Sequence, residues 1–127
     1  MARILIAEDE EPLRAMLVRA FADEHAVTAA CDGAEALDLL ARTAGEFDLL
    51  LTDIRMPLMD GIALALAVAR DFPHVVILMM TGYADQRERA HGLDALIHDV
   101  VAKPFSLAQI REAVRGALAA RTVHSDS

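Results

Sequence analysis

Asp48-Leu-Leu-Leu-Thr52 is a short apolar run, and the acid Asp53 follows it at once. A continuous apolar run of this length, without polar alternation, is typical of a strand buried on both faces of a sheet. Four more runs of similar length lie along the chain, at residues 4–7, 26–30, 75–80 and 96–102. We therefore predict five strands, with the strongest signal at 75–80 and the weakest at 26–30.

The segments between these runs have the periodicity of amphipathic helices. Pro12 suits the first turn of one helix, Asp32 and Asp60 can each cap another, and Ser106 with Gln109 forms a capping box before the last. The short polar stretch 85–91 is predicted to be an exposed helix. The predicted inward faces are Leu13, Met16, Leu17, Ala20 and Phe21; Leu37, Leu40 and Ala41; Ile62, Ala65, Leu66 and Ala69; and Leu107, Ile110, Val114, Ala117 and Leu118.

Strands and helices that alternate in this way indicate an α/β domain with a parallel sheet covered by helices on both faces. The 127 residues suit one domain, which we place at 1–121, with a short polar tail at 122–127. A positive run that would bind nucleic acid is absent, and the net charge is −8, so we expect no direct nucleic-acid binding.

The N-terminus has no apolar segment of signal-peptide length, and no apolar run is long enough to cross a bilayer. We therefore expect a cytoplasmic protein without a membrane partner. The single cysteine, Cys31, cannot form an internal disulfide, and we expect it to be a small buried apolar side chain. The oligomeric state stays open.

Polar side chains follow four of the predicted strands. Glu8 and Asp9 follow the first, Asp53 the third, Thr81 the fourth and Lys103 the fifth. Ligands of open α/β sheets bind beyond the carboxyl ends of the strands, so we expect these side chains to converge. Three carboxylates in one place suit Mg²⁺, and a carboxylate can attack a phosphoryl group.

Four segments carry a resemblance to a known family. They resemble the receiver domains of response regulators, the family that includes CheY, and the match extends over residues 1 to about 120. The chain also resembles the CpdR-type stand-alone regulators of that family. The segments are Leu5-Ile-Ala-Glu-Asp-Glu10, Leu51-Thr-Asp-Ile-Arg-Met-Pro-Leu-Met-Asp-Gly61, Met80-Thr-Gly-Tyr-Ala84 and Val101-Ala-Lys-Pro-Phe105.

The resemblance implies a flavodoxin-like (βα)5 fold with strand order 2-1-3-4-5, and a role for each polar residue. Asp53 matches the phosphoacceptor. Glu8, Asp9 and Asp53, with the backbone carbonyl of Arg55, match the Mg²⁺ ligands. Lys103 matches the lysine that contacts the phosphoryl group.

The resemblance also implies switch and structural roles. Thr81 matches the switch hydroxyl. Pro104 is expected to follow a cis peptide bond, and Pro57 and Gly61 match the loop that shapes the turn after the acceptor. The output surface is expected on the last two predicted helices and the fifth strand.

Two positions depart from the family's pattern. Val100 stands where the family often has an aromatic residue. We expect Tyr83 to take over the aromatic part of the switch, the alternative being that it only covers the site. Glu8 stands where the family often has Asp, and its longer side chain is expected to reach the metal through water.

The leading hypothesis is a regulatory switch rather than a metabolic enzyme. A histidine kinase or histidine phosphotransferase would supply the phosphoryl group, the receiver would transfer it to Asp53 and slowly hydrolyse it, and a downstream protein would read the change. The alternative is a protein-interaction module of the same fold that works without phosphorylation.

Two enzyme or ligand-binding classes fit poorly. A haloacid-dehalogenase phosphohydrolase needs a second acid two residues after its nucleophile, and position 55 is Arg. A flavin-binding protein would need a phosphate-binding loop rich in Gly, Ser or Thr after the first strand, and acids stand there instead.

Overall fold

The computed structural model describes residues 1–82, 90 and 92–125, and these form five strands and four helices. Of residues 121–125 only the backbone is described. The elements are β1 (Arg3–Ala7), α1 (Glu11–Phe21), β2 (Ala26–Ala30), α2 (Gly33–Arg42), β3 (Leu49–Asp53), α3 (Gly61–Asp71), β4 (Val76–Thr81), β5 (Asp99–Ala102) and α4 (Leu107–Ser125).

The five strands form one parallel sheet in the order β2-β1-β3-β4-β5. This confirms the predicted fold class and strand order. The register sets Ala7 beside Thr52, Asp53 beside Met80, and Thr81 beside Ala102. The carboxyl ends of these four strands therefore lie at one edge of the sheet, as the sequence predicted.

Helices cover both faces of the sheet because successive strand residues point to opposite sides. One buried cluster joins Leu5, Leu50 and Met79 to residues of α2 and α3. The other joins Ile6 and Leu51 to residues of α1 and α4. This arrangement explains why the strands are continuous apolar runs without alternation.

The predicted helix caps are present. Asp32 and Asp60 each accept a hydrogen bond at 2.8 Å from the backbone N–H three residues later. Ser106 and Gln109 form the reciprocal pair of a capping box, with distances of 2.7 and 3.1 Å. Such caps stabilise a helix start because its first N–H groups have no partner within the helix.

The predicted inward faces are wrong in part, since Ala41 of α2 and Leu107 of α4 are exposed. The largest difference is in α3. Leu66 is 48% exposed rather than buried. The helix begins against β3, where Gly61 packs on the backbone carbonyl of Asp53. That contact sets which side faces the sheet, and the buried stripe follows from it at helical spacing: Gly61, Leu64, Ala65 and Val68.

Two boundaries differ from the prediction by more than one residue. β5 begins at Asp99 rather than at residue 96, because turns occupy 92–96 and Leu96 is 41% exposed. The α4 backbone is helical through Ser125, so it includes part of the predicted tail. The predicted short helix at 85–91 lies outside the described residues except for Ala90, which is helical and buried.

Cys31 is exposed, which corrects the expectation that it is buried. It lies between β2 and α2, and its Sγ donates a hydrogen bond of 2.9 Å to Glu35 Oε2. Among the residues described, no helix has the length and apolar character needed to cross a bilayer.

Candidate functional site

Residues from four strand ends meet at the carboxyl edge of the sheet. Glu8 follows β1, and its N–H donates to Ala30 of β2 at 3.1 Å. Asp53 is the last residue of β3, and Thr81 is the last of β4. The N–H of Lys103 donates to the carbonyl of Thr81 at 2.7 Å, so β5 delivers the lysine to the same edge.

Three carboxylates are close together at this edge. One oxygen each from Glu8, Asp9 and Asp53 lies within 4.8 Å of the others. Glu8 is fully buried and Asp53 is 5% exposed, whereas Asp9 is exposed. Like charges at this separation repel one another, and burial strengthens the repulsion because the local dielectric is low. The cluster therefore requires positive charge.

Lys103 supplies part of that charge. Its Nζ lies 3.1 Å from Glu8 Oε1 and 3.1 Å from Asp53 Oδ2, and its side chain is 19% exposed. Lys103 is the single lysine of the chain. The contact with Asp53 agrees with the sequence prediction, but the ion pair with Glu8 was not predicted.

Backbone donors hold the other oxygen of each buried carboxylate. Ile54 N–H donates to Asp53 Oδ1 at 2.9 Å, and Glu10 N–H donates to Glu8 Oε2 at 3.0 Å. Each carboxylate thus has one oxygen on an amide and one on Lys103. A carboxylate oxygen can accept more than one hydrogen bond or ligand, so both groups can still bind a cation.

Burial and mutual charge shift the pKa values of Glu8, Asp53 and Lys103. Burial is the main reason that the pKa of Glu8 rises to about 7, and the charge of Asp53 adds to the rise. Burial also raises the pKa of Asp53, although Lys103 opposes the rise. Burial alone would lower the pKa of Lys103, but the charges of Asp53 and Glu8 outweigh it and raise that pKa.

The loop after Asp53 is tightly packed. Gly61 N–H donates to the carbonyl of Ile54 at 2.7 Å. A Cβ atom at Gly61 would collide with the Asp53 carbonyl oxygen, so only glycine fits. Pro57 is exposed, and Leu58 has a φ of 66°, a backbone conformation that is unfavourable for a side chain of its type. On the other side of the site, the peptide bond between Lys103 and Pro104 is cis.

A cavity of about 560 Å³ opens beside the acids. Its polar wall includes Asp9, Asp53, Arg55 and Lys103. Its apolar wall is formed by Leu13, Met16, Pro104 and Phe105. The oxygen-rich wall suits a hard divalent cation such as Mg²⁺, which prefers carboxylate and water ligands. The cavity also leaves space for a phosphoryl group beside the acids and the lysine.

The structure brings together Glu8, Asp9, Asp53, Thr81 and Lys103 as predicted from their strand positions. Thr81 is 2% exposed at the end of β4. Val100 is half-buried in β5, beside Met79. Tyr83 lies outside the described residues, so its expected switch role stays a prediction.

Sequence reasoning missed Arg14. Its Nη1 donates to the carbonyl of Glu8 at 2.9 Å and contacts the carbonyl of Asp9 at 3.4 Å. Its position in the sequence could have indicated this contact, because α1 starts directly after the acidic loop and a long side chain in its first turn can reach that loop.

The site and the fold match one protein family. Residues 4–115 match the model of the response regulator receiver domain. The chain belongs to the response regulator receiver family. Receiver domains are regulatory modules of two-component systems, so the resemblance of the four segments is confirmed.

Proteins of this family include similar sequences from several bacteria. Response regulator MprA of Mycobacterium bovis is 34% identical over 126 residues, which cover 98% of this chain and 54% of that protein. The transcriptional regulatory protein TcrA of Mycobacterium tuberculosis is 33% identical over 85% of this chain and 42% of its own. Sensor histidine kinase TmoS of Ectopseudomonas mendocina is 33% identical over 88% of this chain and 12% of its own. The receiver therefore spans about half or less of these relatives.

Solved structures share the fold over nearly the whole chain. A receiver domain from Clostridium thermocellum has a TM-score of 0.87 at 20% identity and covers 97% of this chain and 98% of its own. TrrA of Thermotoga maritima, solved with Mg²⁺ and BeF, has a TM-score of 0.80 at 27% identity, and the match covers 93% of this chain and 100% of TrrA. Chemotaxis protein CheY4 of Vibrio cholerae has a TM-score of 0.82 at 26% identity, and the match covers 93% of this chain and 99% of CheY4.

Proposed function

We propose that this receiver accepts a phosphoryl group on Asp53, in a Mg²⁺-dependent reaction, and that the modification switches a protein-binding surface. The observation that supports this most directly is the cluster of three carboxylates with Lys103 bridging Asp53 and Glu8. An acid buried at the end of a strand, beside a cation and an open cavity, is positioned to act as a nucleophile.

The donor in this proposal is a phosphohistidine on a histidine kinase or a histidine phosphotransferase. A carboxylate oxygen of Asp53 forms a bond to phosphorus as the phosphorus–nitrogen bond of the phosphohistidine breaks. The electron pair of that bond stays on the imidazole nitrogen of the donor. Phosphoryl transfer depends mainly on positioning and on stabilising charge, which the fixed carboxylate and Lys103 both favour.

Asp9, Asp53 and Glu8 are the residues that would hold Mg²⁺, with the carbonyl of Arg55 as a further ligand. The oxygen donors and the 4.8 Å limit on their separations fit such a cation. Bound there, Mg²⁺ would neutralise charge on the phosphoryl oxygens. The complex of Thermotoga maritima TrrA with Mg²⁺ and BeF supports this choice of metal.

Thr81 and Lys103 would hold the phosphoryl group after transfer. Thr81 ends β4 and Lys103 follows β5, and these two strands lie on the same side of β3. A hydrogen bond from Lys103 N–H to the Thr81 carbonyl links the two residues. A new anion at Asp53 attracts Lys103 and the Thr81 hydroxyl, and their movement would change the surface near β5 and α4. The downstream target is then a protein that binds the two states with different affinity.

Autophosphorylation with acetyl phosphate tests the proposal without a partner kinase. We expect wild type to take up the phosphoryl label when Mg²⁺ is present, and to take up none in EDTA. Asp53→Asn should take up no label, whereas Asp23→Asn, which removes an exposed acid in the turn after α1, should match wild type. Equal labelling of Asp53→Asn and wild type would sink the assignment of the acceptor.

A further inference from the structure

Arg14 lies one turn into α1 and reaches back to the loop that carries the acids. Its Nη1 donates to the carbonyl oxygen of Glu8 at 2.9 Å, a firm bond strengthened by the charge of the guanidinium. The contact of the same atom with the carbonyl oxygen of Asp9, at 3.4 Å, is longer and weaker. The residue is half-buried.

Peptide geometry connects Arg14 to the carboxylate of Glu8. A trans peptide is planar, and its C=O and N–H groups point in opposite directions. The carbonyl of Asp9 and the N–H of Glu10 belong to one such peptide. Arg14 contacts the carbonyl side, and the N–H side donates to Glu8 Oε2 at 3.0 Å. When Arg14 holds the Asp9 carbonyl, it therefore also fixes the direction in which Glu10 N–H donates to Glu8.

The backbone of Glu8 is also held from two sides. Its N–H donates to Ala30 of β2 at 3.1 Å, and its carbonyl accepts from Arg14 of α1 at 2.9 Å. The long Glu8 side chain is then fixed by Glu10 N–H at one oxygen and Lys103 Nζ at the other. Contacts from α1, β2 and the end of β5 thus converge on one residue, Glu8, the first two at its backbone and the third at its carboxylate.

We propose that Arg14 is a positioning residue of the acidic site. It orients the two peptides between Glu8 and Glu10 so that the carboxylates of Glu8 and Asp9 stay directed at the cation. It acts through the backbone and touches neither the phosphoryl group nor the metal. The effect on the cation rests on the proposed function, whereas the effect on the Glu10 amide does not.

Magnesium titration of the full chain separates positioning from simple charge. Arg14→Met removes the donor and keeps a long side chain, and Arg19→Met makes the same charge change at an exposed position of the same helix. Charge alone predicts that losing a cation near the acids strengthens Mg²⁺ binding. Positioning predicts the opposite, and residues that orient metal ligands typically account for about 10- to 100-fold in affinity.

We expect calorimetry to give weaker Mg²⁺ binding for Arg14→Met, by about tenfold or more, and no change for Arg19→Met. Arg14→Lys keeps a charged donor and should recover part of the loss, and it also serves if the Met variant does not fold. Binding by Arg14→Met as tight as wild type, or tighter, overturns the proposal.

Amide hydrogen exchange of Glu10, measured by NMR on metal-free protein, provides a second readout. We expect faster exchange in Arg14→Met and unchanged exchange in Arg19→Met, since only the first releases the peptide. Unchanged exchange in Arg14→Met overturns the positioning role. If wild type binds no Mg²⁺, the proposed metal site fails, and faster exchange in Arg14→Met still upholds the role of Arg14 in orienting Glu8.

Discussion

Lys103 Nζ lies 3.1 Å from Asp53 Oδ2, although 50 residues separate the two in the chain. The contact forms because β3 and β5 flank β4 and end at the same edge of the sheet. The same Nζ is 3.1 Å from Glu8 Oε1, so the lysine keeps two buried acids together. The geometry of Asp53 therefore depends on contacts made by residues from three separate strands.

Replacing Lys103 tests its role in charge stabilisation. Lys103→Met should lower the rate of phosphorylation by acetyl phosphate at saturating Mg²⁺ by about 100- to 1,000-fold, the usual cost of one lost electrostatic donor. Initial rates measured on wild type and variant check this. Lys103→Arg keeps the charge and should lose less. Equal rates for Lys103→Met and wild type would remove the lysine from the reaction.

Gly61→Ala should destabilise the fold. The added Cβ would collide with the Asp53 carbonyl oxygen and lie 3.0 Å from Ile54 Cα, and both are backbone atoms that cannot turn away. Overpacking of this kind costs about 1–3 kcal/mol in the free energy of unfolding, which urea denaturation measures.

Gly116→Ala is the matched control for Gly61→Ala. Gly116 is exposed in α4, and a Cβ there would meet nothing closer than His98 Nε2 at 4.0 Å. Alanine favours helix over glycine, so this variant should gain about 0.5–1 kcal/mol. Similar stability changes in both variants would contradict the close packing of the loop after Asp53.

The stability of the metal-free protein should fall as pH rises between 4.5 and about 7. Burial raises the pKa of Glu8 from 4.5 to about 7. The folded state then favours the protonated acid more than the unfolded chain does, so this contribution is complete below pH 4.5 and is lost as pH approaches 7. The loss is on the order of 3 kcal/mol in the free energy of unfolding.

Urea unfolding in EDTA across this pH range, compared with Glu8→Gln, isolates the contribution of Glu8. The glutamine cannot ionise, so the difference between the two proteins should change with pH in the stated direction. The raised pKa of Lys103 acts only above its ordinary value of 10.5, outside this range. A constant difference between wild type and Glu8→Gln would contradict the burial of an ionisable Glu8.

Asp9→Asn should remove most of the stabilisation that Mg²⁺ gives, without weakening the metal-free fold. Asp9 is exposed, so its replacement leaves no buried group without a partner. It also relieves repulsion from the two neighbouring acids. Thermal unfolding with and without Mg²⁺ measures the effect, because a ligand that binds only the folded state raises the melting temperature.

The control for Asp9→Asn is Asp23→Asn, which makes the same change at an exposed turn. It should keep the full rise in melting temperature with Mg²⁺. A rise in Asp9→Asn as large as in wild type would place the cation elsewhere.

The sequence predicted the sheet well because its signals are local. A run such as Leu49 to Leu51 is apolar at every position, and it lies in a strand buried on both faces. Strand order came from the family resemblance, and the convergence of Asp53 with Lys103 followed from the rule for strand ends.

Features set by contacts distant in sequence were not predicted. The inward side of α3 depends on Gly61 packing against β3, and glycine gives no hydrophobic signal, so Leu66 was wrongly expected inside. The ion pair of Glu8 with Lys103 forms because the Glu8 side chain, which is longer than that of Asp, reaches across the edge of the sheet. The contact of Arg14 with the acidic loop is likewise visible only in three dimensions.

The central claim is that Asp53 carries the phosphoryl group. Wild type treated with acetyl phosphate and Mg²⁺, then reduced with borohydride and mapped by peptide mass spectrometry, tests it most directly, because borohydride converts an aspartyl phosphate to homoserine. We predict homoserine at position 53, at no other aspartate, and only when Mg²⁺ is present. Homoserine at Asp9 or elsewhere, or an unmodified Asp53 in labelled protein, would contradict the account.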